Sequence, residues 1–181
     1  HIDPMSQEIC AKGPGIMKGY IEDENVVDQD GWLHTGDLGE IDSEGYLNIT
    51  GRKKEMFKTS NGKYVCPVPI EDELCSHPWV DQSIVIAEGR SYVIALLTPD
   101  LDAMPSELLA WVKSGHAPPE HHPLRLEEHL QTINEKLNPW EKVQKVAWLK
   151  NTLSIEENDL TPTMKIKRHV IDKKYVDFIE S

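Results

Sequence analysis

The pattern of apolar and polar residues divides the chain into a strand-rich first part and a mixed second part. In the first part, Gln7 to Ala11 predicts a strand, and Glu44-Gly45 separates the alternating runs LGEID and YLNIT as a hairpin turn would. The turn residues Gly13-Pro14-Gly15 and Asp30-Gly31 interrupt the same part. Because residues 6–51 contain few large apolar side chains, they are not expected to form a core alone.

From Arg52 onward, strands and helices are predicted in alternation. Ser83 to Ala87 and Tyr92 to Thr98 are apolar, β-branched runs typical of a hairpin, and Val143 to Leu149 predicts a further strand. Residues 67–69 place prolines ahead of IEDEL, as at a helix start. Apolar residues recur at helical spacing in three segments: Leu101, Met104, Leu108 and Val112; Leu126, Leu130, Ile133 and Leu137; and Ile171, Tyr175, Phe178 and Ile179. The order predicts an α+β domain over residues 52–181.

Charge and cysteine content limit the partners and the compartment. The net charge of −12 opposes nucleic-acid binding, so no nucleic-acid partner is predicted. The three cysteines form no CxxC pair, which favours a reducing, cytoplasmic location over a disulfide framework or a zinc site. No apolar run approaches the ~20 residues that span a bilayer.

No function is predicted for two features of the sequence. Residues 1–5 have the composition of an expression-tag remnant that ends in Met. The histidines at positions 116, 121, 122 and 129 lack a register that would bring three ligands together, so no metal site is predicted.

Asp37 and Arg52 form the first candidate binding pair. Each follows a turn that contains glycine, and a carboxylate next to a guanidinium suits a ligand with vicinal hydroxyls, such as a ribose. A Thr-Gly-Asp turn alone is more often a structural device in which Asp caps backbone amides. The surrounding residues therefore decide between the two interpretations.

The stretch from Asp30 to Lys54 resembles the nucleotide-binding and fatty-acid signature of the long-chain fatty acid–CoA ligases, in the adenylate-forming superfamily. The resemblance implies that Asp37 and Arg52 bind the ribose of ATP or AMP, and that Lys54 is a hinge for a mobile C-terminal domain. The matching residues are Gly31-Trp32, Thr35-Gly36-Asp37, Gly45-Tyr46-Leu47 and Gly51-Arg52-Lys53-Lys54.

Two later motifs extend the resemblance. Lys58 to Val65 is similar to a family loop that lines the CoA pantetheine tunnel, which implies this role for Ser60, Gly62 and Lys63. LTPTMKIKR, residues 160–168, resembles the motif whose lysine enters the active site, and Lys165 is the matching residue. Its ammonium would neutralise charge as acyl-adenylate forms. The commoner family form has Gly where this chain has Met164.

The resemblance implies the fold and the reaction. The expected fold is the small α+β C-terminal domain, with an antiparallel sheet and three or four helices, preceded by a β-rich tail of the large AMP-binding domain at residues 6–51. The implied enzyme joins a long-chain fatty acid to CoA at the expense of ATP, giving AMP and pyrophosphate. The phosphate loop, the acyl pocket and the Mg²⁺ ligands of the family are expected in a missing N-terminal domain, and the fragment is expected to be inactive alone.

Several alternatives stay open at this point. The chain could derive from another adenylate-forming enzyme, such as an aryl-acid ligase, a luciferase-like oxidase or a peptide-synthetase adenylation domain. It could also be a non-catalytic interaction module or an isolated nucleotide-binding module. Open strand edges in residues 6–50 make a homo-oligomer a further candidate, and membrane association of the full-length enzyme is left open.

Overall fold

The computed structural model describes residues 1–17, 27–114, 126–176 and Ile179. It separates into two compact units, His1–Met56 and Phe57–Ser181. Each unit has its own sheet structure.

The first unit is a three-stranded antiparallel sheet in the order β1-β2-β3. The strands are β1 (Glu8–Ala11), β2 (Leu33–Ile41) and β3 (Leu47–Arg52), and a 3-10 turn, Lys53–Glu55, follows. Ile2 pairs with Ile9 of β1, so a residue of the predicted tag remnant takes part in the sheet.

The β2–β3 connection is a turn built around an aspartate. Asp42 Oδ1 accepts the backbone N–H groups of Glu44 and Tyr46, each at 2.9 Å. Gly45, with a φ of +90°, supplies the left-handed residue that this tight turn requires. The predicted hairpin between LGEID and YLNIT is confirmed by the pairing of β2 with β3.

The second unit contains two small sheets and four helices in its described residues. A two-stranded ladder pairs β4 (Phe57–Lys58) with β5 (Tyr64–Val65). The larger sheet has the order β6-β7-β8. Its strands and the helices are β6 (Val80–Ile86), β7 (Val93–Pro99), β8 (Val143–Trp148), α1 (Pro67–Cys75), α2 (Ser106–Ser114), α3 (Leu126–Lys136) and α4 (Arg168–Lys174).

The central strand β7 separates two apolar clusters because successive side chains of a strand point to opposite faces. Val93, Ala95 and Leu97 belong to the cluster that also contains buried residues of α1, α2 and α3. Ile94 and Leu96 belong to a second cluster with Ile171 of α4. Helical segments therefore cover both faces of the sheet, and every residue of β7 is buried.

The α+β fold class is confirmed, with two differences in detail. β8 pairs with β7 in parallel, so the larger sheet is mixed rather than wholly antiparallel. Leu101, predicted to share a helical face with Met104 and Leu108, is half-exposed in a turn before α2. The turn forms because Asp100 Oδ1 accepts the N–H groups of Asp102 and Ala103, and Pro105 precedes the helix.

Within the described part of the chain, no helix is long and apolar enough to cross a membrane. Phe178, which the sequence places on the last helical face, lies outside the described residues. The predicted domain boundary after residue 51 stays a prediction, while the division into compact units falls after Met56.

Candidate functional site

The antiparallel ladder of the first unit brings Asp37 and Arg52 together. The two residues face each other across β2 and β3, and Arg52 Nε lies 2.7 Å from Asp37 Oδ1. Thr35 Oγ1 accepts the N–H of Asp37 and donates to the backbone oxygen of Ile9, which fixes the turn before the carboxylate. The guanidinium is more exposed than the carboxylate, so a diol could reach both groups from solvent.

Glu8 organises the same region from β1. Its side chain is almost fully buried, and it accepts hydrogen bonds from Lys53 Nζ and from the N–H of Gly36, both at 2.9 Å. Burial works to raise the pKa of Glu8, but the hydrogen bonds from Lys53, Gly36 and His34 outweigh it and lower the pKa. Glu8 therefore stays ionised and holds Lys53, which adjoins the predicted hinge.

Lys54 lies in the middle of the 3-10 turn Lys53–Glu55, and its side chain is exposed. The turn has no side-chain cap, since Arg52 at its start is extended and makes no capping hydrogen bond. A short uncapped turn is the kind of segment whose dihedral angles can change at low cost. This setting is compatible with the predicted hinge role, which stays a prediction.

The predicted CoA-tunnel loop is a closed turn between β4 and β5. The N–H of Thr59 donates to the backbone oxygen of Lys63 at 2.8 Å, and Thr59 Oγ1 accepts the N–H of Lys63. Gly62 has a φ of +75°, which favours glycine at this position. Ser60, Gly62 and Lys63 are all exposed.

One aromatic side chain lies beside this loop. Lys63 Nζ lies 4.9 Å from the ring centroid of Trp140, a cation–π arrangement. Trp140 precedes β8 and retains 38% of its accessible surface. No local sequence signal places Trp140 beside this loop, because the two segments are far apart along the chain.

Lys165 lies in a short loop that closes on itself. The N–H of Lys165 donates to Thr161 Oγ1 at 3.0 Å, and the N–H of Thr161 donates to the oxygen of Lys165 at 2.8 Å. Leu160 pairs with Ile166 just outside these bonds. The Lys165 backbone is therefore held while its side chain extends into solvent.

Met164 occupies a left-handed conformation, with a φ of +61°. Such a conformation is unfavourable for residues other than Gly, Asn and Asp, by roughly 1 kcal/mol. It persists here because the N–H of Met164 donates to the oxygen of Thr161 and closes the turn. The geometry explains why glycine suits the position before the lysine in the motif that residues 160–168 resemble.

Asp159 and Lys174 anchor the start of the Lys165 loop to α4. Asp159 is 1% exposed, and its Oδ1 lies 2.9 Å from Lys174 Nζ. Burial works to lower the pKa of Lys174, but the hydrogen bond to Asp159 and the neighbouring charges raise it. The lysine therefore stays charged, and the pair neutralises a carboxylate that the fold has buried.

Apart from the predicted hinge Lys54, the predicted site residues fall into three groups. Asp37 and Arg52 contact each other in the first unit, whereas Ser60 to Lys63 and Lys165 belong to separate loops of the second unit. No group of three or more His, Cys, Asp or Glu residues within the described ranges could hold a metal ion. The histidines 116, 121 and 122 lie outside those ranges.

Sequence reasoning missed three buried acidic residues: Asp159, which lies in a loop, and Glu8 and Glu71, which lie on regular elements. Glu8 shares the buried face of β1 with Cys10. Glu71 shares the buried face of α1 with Ile70 and Leu74. A charged residue on an apolar face was the available signal, because a carboxylate is buried only with partners.

Comparison with protein families gives one match that covers most of the chain. Residues 54–181 match the family described as the AMP-binding enzyme C-terminal domain. Among curated proteins, the chain is 32% identical to long-chain-fatty-acid–CoA ligase FadD15 of Mycobacterium tuberculosis over 96% of this chain and 30% of that protein. It is 34% identical to human long-chain-fatty-acid–CoA ligase 1 over 89% of this chain and 25% of the ligase.

Solved structures show the same likeness. The adenylation domain of a carboxylic acid reductase from Segniliparus rugosus, in complex with AMP and a co-purified carboxylic acid, is 26% identical with a TM-score of 0.71, over 96% of this chain and 27% of that one. The o-succinylbenzoate–CoA synthetase of Bacillus subtilis is 26% identical with a TM-score of 0.59, over 91% and 30%. The chain thus spans about 30% or less of the relatives it matches.

Proposed function

This chain belongs to the family of AMP-binding enzyme C-terminal domains, and from that premise we propose that it is the C-terminal part of a long-chain fatty acid–CoA ligase. The proposed enzyme converts a fatty acid, ATP and CoA into acyl-CoA, AMP and pyrophosphate. The observation that carries the proposal is the Lys165 loop, whose hydrogen bonds hold the backbone while the ammonium stays exposed.

The proposed reaction has two steps. A carboxylate oxygen attacks the α-phosphorus of ATP and pyrophosphate leaves, which gives the acyl-adenylate. The CoA thiolate then attacks the acyl carbon, the acyl–phosphate bond breaks and AMP leaves as the thioester forms. The first step brings two anions together, so a cation at that point lowers the barrier.

The described side chains suit different parts of this sequence. Lys165 would neutralise charge on the carboxylate and the α-phosphate in the first step. Asp37 and Arg52 would bind the ribose, since Asp37 can accept two hydroxyl hydrogens and Arg52 can donate. The loop from Ser60 to Lys63 would contact pantetheine in the second step, after rotation about Lys54.

The chain alone is proposed to have negligible ligase activity. It spans about 30% of the ligases it resembles, and its proposed partner is the N-terminal domain that supplies the phosphate loop and acyl pocket. Mg²⁺ is expected to bind to that N-terminal domain, where the resemblance places its ligands. The cytoplasmic location and the homo-oligomer stay predictions.

The runner-up is another carboxylate-activating ligase of the same superfamily. The structural likeness to o-succinylbenzoate–CoA synthetase, at 26% identity, keeps this alternative in view. The higher identities to long-chain fatty acid–CoA ligases, 32% and 34%, favour the fatty-acid substrate.

Acid-dependent ATP–pyrophosphate exchange tests the proposal in the full-length enzyme. A long-chain fatty acid, a short-chain acid and an aryl acid are compared, and the fatty acid is expected to give the fastest exchange. Preference for the aryl acid would support the runner-up instead. Calorimetry of the 181-residue chain with AMP and ATP is expected to show no binding, and acyl-CoA formation by this chain alone would contradict the proposed inactivity.

A further inference from the structure

An ion pair lies at the base of the Lys165 loop, where α4 begins. Arg168 Nη2 donates to Glu71 Oε2 at 2.6 Å, and Arg168 Nη1 donates to Glu71 Oε1. Two parallel hydrogen bonds between a guanidinium and a carboxylate fix direction as well as distance. The pair joins α1 to the first residue of α4, two helices that are distant in sequence.

Glu71 is held from a second direction by β6. It is 8% exposed, and its Oε1 accepts the N–H of Val85 at 2.7 Å. Because β6 is an edge strand, this carboxylate occupies the place that a neighbouring strand would take. Ser83 Oγ also donates to the backbone oxygen of Glu71 at 2.9 Å. The carboxylate is therefore fixed to the sheet and does not simply follow Arg168.

Arg168 also contacts an aromatic ring. Its Cζ lies 5.8 Å from the ring centroid of Phe57, which pairs with the fully buried Val65 in the β4–β5 ladder. A guanidinium over a ring gains cation–π attraction in addition to its ion pair. Arg168 is thus oriented by α1 on one side and by the β4–β5 ladder on another.

The residues between Arg168 and Lys165 transmit this position. Ile166 pairs with Leu160, and the N–H of Lys167 donates to the oxygen of Asp159 at 2.8 Å. The lysine backbone and the start of α4 therefore belong to one short hydrogen-bonded segment.

We propose that Glu71, acting through Arg168, is a positioning residue for Lys165. The ion pair keeps the base of the Lys165 loop fixed to the core of the second unit, so that the lysine moves together with that unit. This inference rests on the proposed role of Lys165. Net stability explains the pair less well, because apolar residues of similar volume often replace a buried ion pair without loss.

Amide hydrogen exchange by NMR on the 181-residue chain tests the inference without relying on catalysis. Glu71→Gln keeps an oxygen acceptor for Val85 but removes the charge that holds Arg168. Exchange at Lys165 and Lys167 is expected to rise about tenfold or more relative to the β7 amides, because the loop opens locally. Equal acceleration in the loop and in β7, or no change in the loop, would overturn the proposal.

Two further variants isolate the partner. Arg168→Gln is expected to reproduce the effect, and Glu71→Gln in that background should add less than about twofold, because both changes remove one interaction. The matched control is Glu73→Gln, also on α1, which removes an exposed ion pair with Lys136 of α3 and should leave the loop unchanged. Additive effects, or an equal effect of the control, would contradict coupling through Arg168.

A milder variant covers the case in which Glu71→Gln does not fold. Arg168→Lys keeps the charge but loses the bidentate geometry, so its loop amides are expected to exchange at intermediate rates. Unchanged rates in this variant would contradict the proposal. Failure of the inference is distinguishable from failure of the proposed function, since loop exchange does not depend on what Lys165 does chemically.

Discussion

The two units of the molecule are stabilised in different ways. In the second unit, two apolar clusters fill both faces of a sheet whose central strand is wholly buried. In the described part of the first unit, the only buried hydrophobic residues are Cys10 and Leu38, and Glu8 is buried beside them. The first unit therefore depends on a charged network, while the second has the core of an independently folding domain.

The difference also appears on the surface. On β2, β3 and the turn between them, four large apolar residues are more than half exposed: Ile41, Tyr46, Leu47 and Ile49. An apolar group of this kind commonly marks an interaction surface. It fits the proposal that the N-terminal domain of the ligase covers this side.

The largest expected effect comes from a cavity in the core of the second unit. Leu96→Ala is expected to lower the free energy of unfolding of this unit by about 2–5 kcal/mol, because Leu96 is fully buried in β7. Hydrogen exchange resolves the two units in one experiment. The control Ile49→Ala, at a 69% exposed position of β3, should change stability by less than about 0.5 kcal/mol. Similar losses in both variants would remove the contrast between the units.

A smaller effect is expected from crowding the sheet of the first unit. A Cβ at position 39 would lie 2.8 Å from the oxygen of Asn48 and from Ile9 Cδ1. Gly39→Ala should therefore cost about 1–3 kcal/mol in the first unit alone. Gly13→Ala is the control, because nothing lies within 4 Å of its added Cβ. Hydrogen exchange at the β2 amides during denaturation measures the stability of the first unit in both variants. Equal stability of the two variants would contradict the close packing around Gly39.

The charged network of the first unit is expected to contribute less than the core of the second. Glu8→Gln should cost about 1–2 kcal/mol, since Lys53 and the N–H of Gly36 lose a charged acceptor. The lowered pKa of Glu8 means that its contribution is present above the ordinary value of 4.5 and is lost as the pH falls through the folded pKa. In Glu8→Gln, the free energy of unfolding of the first unit should therefore depend less on pH in the acid range. Glu40→Gln, at an exposed position, is the control and should leave this dependence unchanged.

The smallest expected effect is a mild pH dependence in the second unit. Burial, and then the charge of His129, lower the pKa of His77 below its ordinary value of 6.5. The unfolded state gains a proton first as the pH falls below 6.5, so stability decreases from there down to the folded pKa. In His77→Gln, the free energy of unfolding should depend less on pH between these limits. An unchanged pH dependence would show that another group titrates.

Local sequence features predicted much of the fold and named the candidate site residues, whose roles stay predictions. The hairpins around Glu44-Gly45 and Glu88-Gly89 follow from turn residues between alternating or β-branched runs, and both form. The parallel pairing of β8 with β7 was not predictable, because it depends on contacts between segments separated by two helices. The same distance in sequence hid the ion pair between Glu71 and Arg168.

The site shows a similar limit. The motifs named Asp37, Arg52 and Lys165 as candidate site residues. The antiparallel register of β2 and β3 explains why Asp37 and Arg52 meet. The sequence did not show that Met164 would take a left-handed conformation to close the lysine loop. That conformation depends on hydrogen bonds to Thr161, which only the folded loop reveals.

The two half-reactions of the full-length enzyme, measured for Lys165→Ala, test the central claim most directly. Lys173→Ala, at an exposed position of α4, is the control. Acid-dependent ATP–pyrophosphate exchange is expected to fall about 100-fold or more in Lys165→Ala, because a cation aimed at developing charge is lost. Thioester formation from supplied acyl-adenylate and CoA should change by less than about threefold. An equal loss in both steps, or none in the first, would contradict the assignment of Lys165.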